Sequence, residues 1–271
     1  MKRFIKFSKF TALGNDFIVI NDIRGNLRRF FDRNRIKNLC REHFGIGADG
    51  LILIEPDKTS SFNMIYFNSD GYEAPMCGNG ARVSAFFANY ENIAEPTGKF
   101  RASDGFHFYT VNGNTVRVSL NINFKSIVPD STINNYNVSF IDTGVPHGVV
   151  IVKSLDEFPV DKVGKSIREN REYSKEGVNV DFIEIIDKHN IKMRTFERGV
   201  ESETYSCGTG ATASAIIMTL KSFTKPPVNV INRLNEVLKV DFKMKNGIIS
   251  ETTLEGNVKE IAKGYFDVYE Y

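Results

Sequence analysis

The chain has 271 residues, 25% of them charged and 41% hydrophobic, and a formal charge of +2, the make-up of a soluble globular protein long enough for two domains of ordinary size. So even a balance gives no single-sign field to draw nucleic acid or an anionic membrane surface. Met1-Lys2-Arg3-Phe4-Ile5-Lys6-Phe7 returns to charge too soon for the apolar region of a signal peptide, and no later run approaches a membrane span, so a cytoplasmic protein is expected.

In chain order, residues 4–22 read as strand, Gly14-Asn15 turn, strand, an opening hairpin. From about 32 to 43, Ile36, Leu39 and Cys40 fall at helical spacing and Gly45 stops the helix. After Gly45-Ile46-Gly47-Ala48-Asp49-Gly50 come strands at 51–54 and 62–67. Runs 81–88 and 211–218 are apolar over most of their circumference, which marks buried helices, each the expected centre of a domain. Short strands follow both, at 116–120 and 228–231. Residues 121–137, with clustered Asn, Ser, Pro and Asp, read as a linker, and 265–269 as a last strand able to close either sheet. The class is α+β.

The most informative pattern is a near-repeat. Cys77-Gly78-Asn79-Gly80-Ala81-Arg82-Val83-Ser84-Ala85 returns in the second half as Cys207-Gly208-Thr209-Gly210-Ala211-Thr212-Ala213-Ser214-Ala215. Residues 11–20 are echoed by 143–152 and 66–71 by 194–199, in the same order. A duplication into two pseudo-symmetric domains follows, expected to face each other across a cleft with one Cys each. The expected boundaries are 1–121 and 122–262, with the last strand still free to join either sheet.

A Cys followed by Gly-x-Gly at a helix start places the thiol near unpaired N–H groups, so its pKa is expected to fall. The N–H groups of Gly78, Asn79, Gly208 and Thr209 suit a carboxylate. Two thiols on opposite sides of one carbon, one removing a proton and one returning it, would invert that carbon. His147 and Glu197 are the candidates for tuning them. Each feature alone has a plainer reading: a buried small hydrophobe for Cys, a turn histidine, a solvated Glu197-Arg198 pair, turn positions for Asn15, Asn68 and Asn79. Cys40 lacks the Gly-x-Gly and reads as core. Three cysteines and four histidines show neither a disulfide framework nor metal-ligand spacing, so no metal and no cofactor are expected.

Taken together, Leu13-Gly14-Asn15-Asp16-Phe17, Gly45-Ile46-Gly47-Ala48-Asp49-Gly50, Phe67-Asn68-Ser69-Asp70-Gly71, Met76-Cys77-Gly78-Asn79-Gly80-Ala81-Arg82, Pro146-His147, Val178-Asn179-Val180-Asp181-Phe182 and Glu197-Arg198-Gly199 before Cys207-Gly208-Thr209-Gly210 resemble the diaminopimelate epimerases. These cofactor-independent enzymes interconvert L,L- and meso-diaminopimelate on the route to lysine and peptidoglycan. The resemblance implies Cys77 and Cys207 as paired acid and base, with His147 and Glu197 adjusting their ionisation. It implies the backbone of Gly78, Asn79, Gly208 and Thr209 for the reacting carboxylate, and Glu197 with the Arg198 carbonyl for its ammonium. Asn15, Asn68, Asn179 and the Arg198 guanidinium would take the distal end. The implied fold is two domains, each a mixed, mainly antiparallel sheet or barrel around a central helix, with strand 263–271 returning to the first domain, in a homodimer.

Two departures touch recognition and leave the thiols alone: Val145 stands where many members have Asn, and Gly50 where many have Gln. The alternatives are a racemase of proline, hydroxyproline or histidine on the same scaffold, against which a second charged-end site at Arg198, Asn68 and Asn179 argues, and a non-catalytic amino-acid-binding protein, which would not need both cysteines.

Overall fold

The computed structural model describes residues 2–122, 127–169, 171, 173–245 and 248–271. Its contacts divide the chain into two units, residues 1–121 with 255–271, and residues 122–254. The stretch that groups with the first unit thus begins at Glu255, where the sequence reading began it at 263.

The first unit opens with β1 (Phe4–Ala12) and β2 (Asn15–Asn21), an antiparallel hairpin closed by the pair Ala12 and Asn15. Leu13 and Gly14 both take positive φ, 59° and 85°, the two-residue turn whose twist matches its strands. The turn is therefore one residue earlier than the sequence suggested. Helix α1 (Arg33–Cys40) starts where the Asp32 carboxylate accepts the Arg35 N–H at 3.0 Å, satisfying one orphan donor. It returns the chain so that β3 (Gly50–Glu55) lies parallel to β2. Then come β4 (Asn63–Asn68), antiparallel to β3, helix α2 (Gly78–Tyr90), β5 (Thr97–Ala102), bridged in parallel to β4, and the antiparallel β6 (Gly105–Asn112) and β7 (Thr115–Ser119).

Strands β2 and β3 are buried on both faces, as a parallel pair covered on each side must be. Ile18, Ile20, Leu51 and Leu53 pack with Ile36 and Leu39 of α1; Phe17 and Ile52 come up against Gly80 of α2. Small residues let α2 be buried nearly all round, against β1, β2, β3, β4, β6 and β7. Its interior includes Arg82, wholly buried.

The second unit repeats the plan. Strand β8 (Ile127–Ile133) pairs antiparallel with β9 (Tyr136–Asp142), so the stretch read as a linker is largely sheet over its described residues, 123–126 lying outside them. Next are β10 (Pro146–Ile151), helix α3 (Val160–Arg168), β11 (Asn179–Ile185), β12 (Asn190–Glu197), the short β13 (Ser202–Thr204), helix α4 (Gly208–Leu220), β14 (Val228–Ile231) and β15 (Val237–Lys245). From β9 to β15, leaving out β13, the pairings run antiparallel, parallel, antiparallel, parallel, antiparallel, the same succession as from β1 to β6. Helices α1 and α3 occupy equivalent crossovers, as do α2 and α4, both 13 residues long. The duplication read in the sequence is thus written in the topology.

Strands β16 (Ile248–Asn257) and β17 (Lys259–Asp267) end the chain, and β17 pairs antiparallel with β1. The last strand therefore completes the first sheet.

Candidate active site

Each repeated cysteine caps the N-terminus of a central helix. Cys77 precedes α2 and Cys207 precedes α4, both in extended conformation (φ −107°, ψ 127° and φ −125°, ψ 110°). The following glycines bring neighbours close to the helix start. A Cβ at Gly210 would lie 2.4 Å from Asp181 Oδ1, and one at Gly80 would be 3.1 Å from Met64 Cε.

In the first unit Cys77 is half-buried, its Sγ 3.9 Å from Asn15 Oδ1. The same oxygen accepts the Asn79 amide at 3.3 Å, while the Asn15 amide donates to Asp49. Arg82 Nη2 donates to Asn79 Oδ1 at 2.8 Å, so a buried guanidinium fixes the orientation of Asn79. Burial pushes the Asp49 carboxyl up against the pull of its Asp16 N–H and Asn15 hydrogen bonds. Asn15, read from sequence as a distal-end residue, thus lies beside Cys77. Asn68 is exposed at the end of β4, paired with Gly50. Any side chain at position 50 would meet the Phe67 carbonyl at 2.5 Å and the Tyr66 ring at 2.6 Å, so this departure from the family pattern goes with local packing.

In the second unit the parallel register of β10 and β11 sets His147 opposite Asn179, and strand alternation sends Asp181 to the same face as Asn179. His147, wholly buried, has Nδ1 2.7 Å from Asp181 Oδ2 and Nε2 3.0 Å from Thr209 Oγ1. Thr209 Oγ1 in turn is 3.3 Å from Cys207 Sγ. The Thr195 hydroxyl donates to Asp181 Oδ1 at 2.7 Å, and Cys207 Sγ accepts the Gly210 N–H at 3.4 Å. Asn179 Oδ1 accepts the Arg198 N–H at 2.8 Å, and the Arg198 guanidinium reaches Glu176 at 3.1 Å.

The expected fall in thiol pKa is reversed at Cys207. Burial pushes that thiol well above its ordinary value, Glu197 and Asp181 add negative charge, and the bonds from Thr209 and Gly210 oppose them without prevailing. Helix-end stabilisation is a matter of a kcal/mol or so, roughly, which desolvation of a buried thiolate outweighs. Cys40 is also buried, and its thiol is pushed up to about 12 by burial and by Asp16 and Asp49. The structure thus gathers His147, Glu197 and Thr209 around Cys207, and Asn15 and Asn79 around Cys77. Sequence reasoning missed Asp181, Thr195, Arg82 and the Thr209 side chain. The signal for Asp181 was its place two residues after Asn179 on one strand.

Among the described residues no cluster of three or more His, Cys, Asp or Glu could hold a metal ion, and no helix is long and apolar enough to cross a membrane.

The diaminopimelate epimerase family pattern matches residues 7–119 and 139–258. The diaminopimelate epimerase of Aquifex aeolicus is 40% identical over 282 residues, covering 98% of this chain and 100% of the relative. That of Flavobacterium psychrophilum is 39% identical, covering 93% and 96%. Among solved structures, a phenazine biosynthesis protein of the PhzF family from Bacillus anthracis superposes with TM-score 0.71 at 16% identity, covering 97% and 99%. A probable proline racemase from Agrobacterium radiobacter, with bound carbonate, gives 0.70 at 14%, covering 96% and 92%. Likeness at such low identity speaks for the fold alone, a shared two-domain scaffold. The family pattern over most of its length and a 40% identical relative matched in full establish that the chain belongs to the diaminopimelate epimerase family.

Proposed function

We propose that this chain epimerises L,L-diaminopimelate to meso-diaminopimelate without a cofactor, with Cys77 and Cys207 as the acid–base pair. The observation that carries the reading is the repeated cysteine at the head of each central helix. One sulfur, as thiolate, takes the α-proton while the other, as thiol, delivers a proton to the opposite face of the carbanion, inverting the centre with no change of oxidation state. N–H groups of Gly78, Asn79, Gly208 and Thr209 hold the α-carboxylate, and Glu197 with the Arg198 carbonyl its ammonium. Asn68, Asn179 and Arg198 serve the distal end; Asn15 serves it from beside Cys77. His147 and Glu197 adjust the thiols. The same reading makes the protein a cytoplasmic homodimer supplying lysine and peptidoglycan precursors.

The test is deuterium uptake from D2O at the α-carbon of L,L-diaminopimelate, with proline, trans-4-hydroxyproline and histidine in parallel. Exchange and inversion confined to diaminopimelate support the proposal. Exchange on a monocarboxylic amino acid instead would reassign the enzyme to a racemase, and exchange on none would leave an amino-acid-binding protein.

A further inference from the structure

We propose that Asp181 is a positioning residue: it fixes the His147 ring with its proton on Nδ1, so that Nε2 draws on the Cys207 thiol through the Thr209 hydroxyl. The inference rests on the reading of Cys207 as an acid–base thiol. Asp181 and His147 are both wholly buried, so their partners are the ones the fold supplies. Asp181 Oδ1 is taken by the Thr195 hydroxyl at 2.7 Å, and Oδ2 faces His147 Nδ1 at 2.7 Å. A carboxylate only accepts, so Nδ1 donates and Nε2 keeps its lone pair. Facing Nε2 are the Thr209 hydroxyl at 3.0 Å and the Asn179 amide at 3.4 Å, both able to donate. Once the Thr209 hydrogen points at Nε2, its oxygen lone pair is turned to Cys207 Sγ at 3.3 Å and accepts the S–H.

The chain of donors therefore runs one way, from Cys207 through Thr209 to His147. In the proton step the Cys207 S–H bond breaks as its proton joins Thr209 Oγ1, and the Thr209 proton joins His147 Nε2. The products are a Cys207 thiolate and an imidazolium paired with the Asp181 carboxylate; the Thr209 hydroxyl is restored and nothing is oxidised. The relay works against the burial and the Glu197 and Asp181 charges that hold the thiol protonated, Asp181 acting for the thiolate only through His147. Asp181 keeps its place because α4 has a glycine there: a Cβ on Gly210 would overlap Oδ1.

The experiment combines kinetics on L,L-diaminopimelate with imidazole ¹⁵N NMR of the substrate-free protein, the His147 signals being assigned by comparison with His147→Gln. The parent shows the proton on Nδ1. In Asp181→Asn the carbonyl keeps the Thr195 bond, the amide N–H turns to Nδ1, and the proton moves to Nε2. That variant loses about 100-fold in kcat with KM within about twofold. Thr209→Ser keeps the hydroxyl and stays within about threefold of the parent kcat, whereas Thr209→Val loses about tenfold or more. A packing role for Thr209 reverses that order, since Val keeps the methyl group and Ser does not. A parent with its proton on Nε2, an Asp181→Asn protein with unchanged tautomer and kcat, or the reversed Thr209 order overturns the proposal. A parent with no diaminopimelate turnover overturns the epimerase reading instead, while the substrate-free NMR still decides whether Asp181 governs the His147 tautomer.

Discussion

Arg198 holds its guanidinium 3.1 Å from the carboxylate of Glu176, whose side chain is 81% exposed. An ion pair so open to water is worth at most about 1 kcal/mol, so a substrate carboxylate can displace it. Arg198→Lys keeps the charge and loses the planar fork, and kcat/KM on L,L-diaminopimelate is expected to fall at least about tenfold. Glu176→Gln removes the competitor and should lower KM by about twofold. Unchanged kcat/KM in the Arg198 variant takes Arg198 out of substrate recognition.

Cys77→Ala and Cys207→Ala should each abolish epimerisation while far-ultraviolet circular dichroism stays that of the parent, because in the proposed mechanism each removes one proton carrier. Cys40→Ala should retain kcat and lose about 1 kcal/mol of stability as a small core cavity opens. Two-way turnover by either of the first two variants would end the two-thiol mechanism.

Alkaline pH should expose the buried thiol of Cys40. Its pKa is about 12 in the folded chain against 9.0 for an ordinary thiol, so between pH 9 and pH 12 the unfolded chain sheds a proton that the folded chain keeps. The thiol's contribution is complete below pH 9 and is lost as pH rises towards 12. From pH 8 to pH 10 the parent should lose on the order of 1 kcal/mol more than Cys40→Ala in urea unfolding. Parallel losses would show that Cys40 ionises as easily folded as unfolded.

The two glycines two positions inside each helix should answer differently to alanine. Gly80 faces only side-chain ends, Met64 Cε at 3.1 Å and Ile52 Cδ1 at 3.3 Å, which need give by a few tenths of an ångström, so Gly80→Ala should be stabilising by a few tenths of a kcal/mol or neutral, roughly as helix propensity dictates. Gly210 faces the Asp181 carboxylate, held by Thr195 and His147, so Gly210→Ala should cost about 2 kcal/mol and most of kcat. Thermal melts and initial rates on the two variants decide it; equal behaviour would mean that Asp181 can move aside.

Much of this was legible in the sequence because it depends on local signals. Cysteine-glycine helix heads, the Asp32-initiated helix and the doubly buried strands around Ile18 and Ile52 each carry their pattern within a few residues. Residues 127–133 misled because Pro129, Asp130 and Ser131, with Asn134 and Asn135 after them, weigh towards loop, whereas pairing with β9 decided the outcome. The turn at Leu13 was hidden because leucine rarely takes positive φ. Asp181 was passed over as a site residue although it stands two places after Asn179, since its meaning comes from the register that sets β10 beside β11. The thiol shift was read with the wrong sign at Cys207 because sequence shows the helix end and conceals how deeply the sulfur lies.

The two helix heads differ in how they treat sulfur. Cys207 is buried and receives the Gly210 N–H, whereas Cys77 is half-buried with its Sγ facing Asn15 Oδ1. A small electrophile added to the folded protein therefore meets one readily alkylated cysteine per chain, since Cys40 and Cys207 are both buried with raised pKa values. Intact mass would record a single increment long before a second, giving a covalent handle that counts correctly folded chains in a preparation without any substitution.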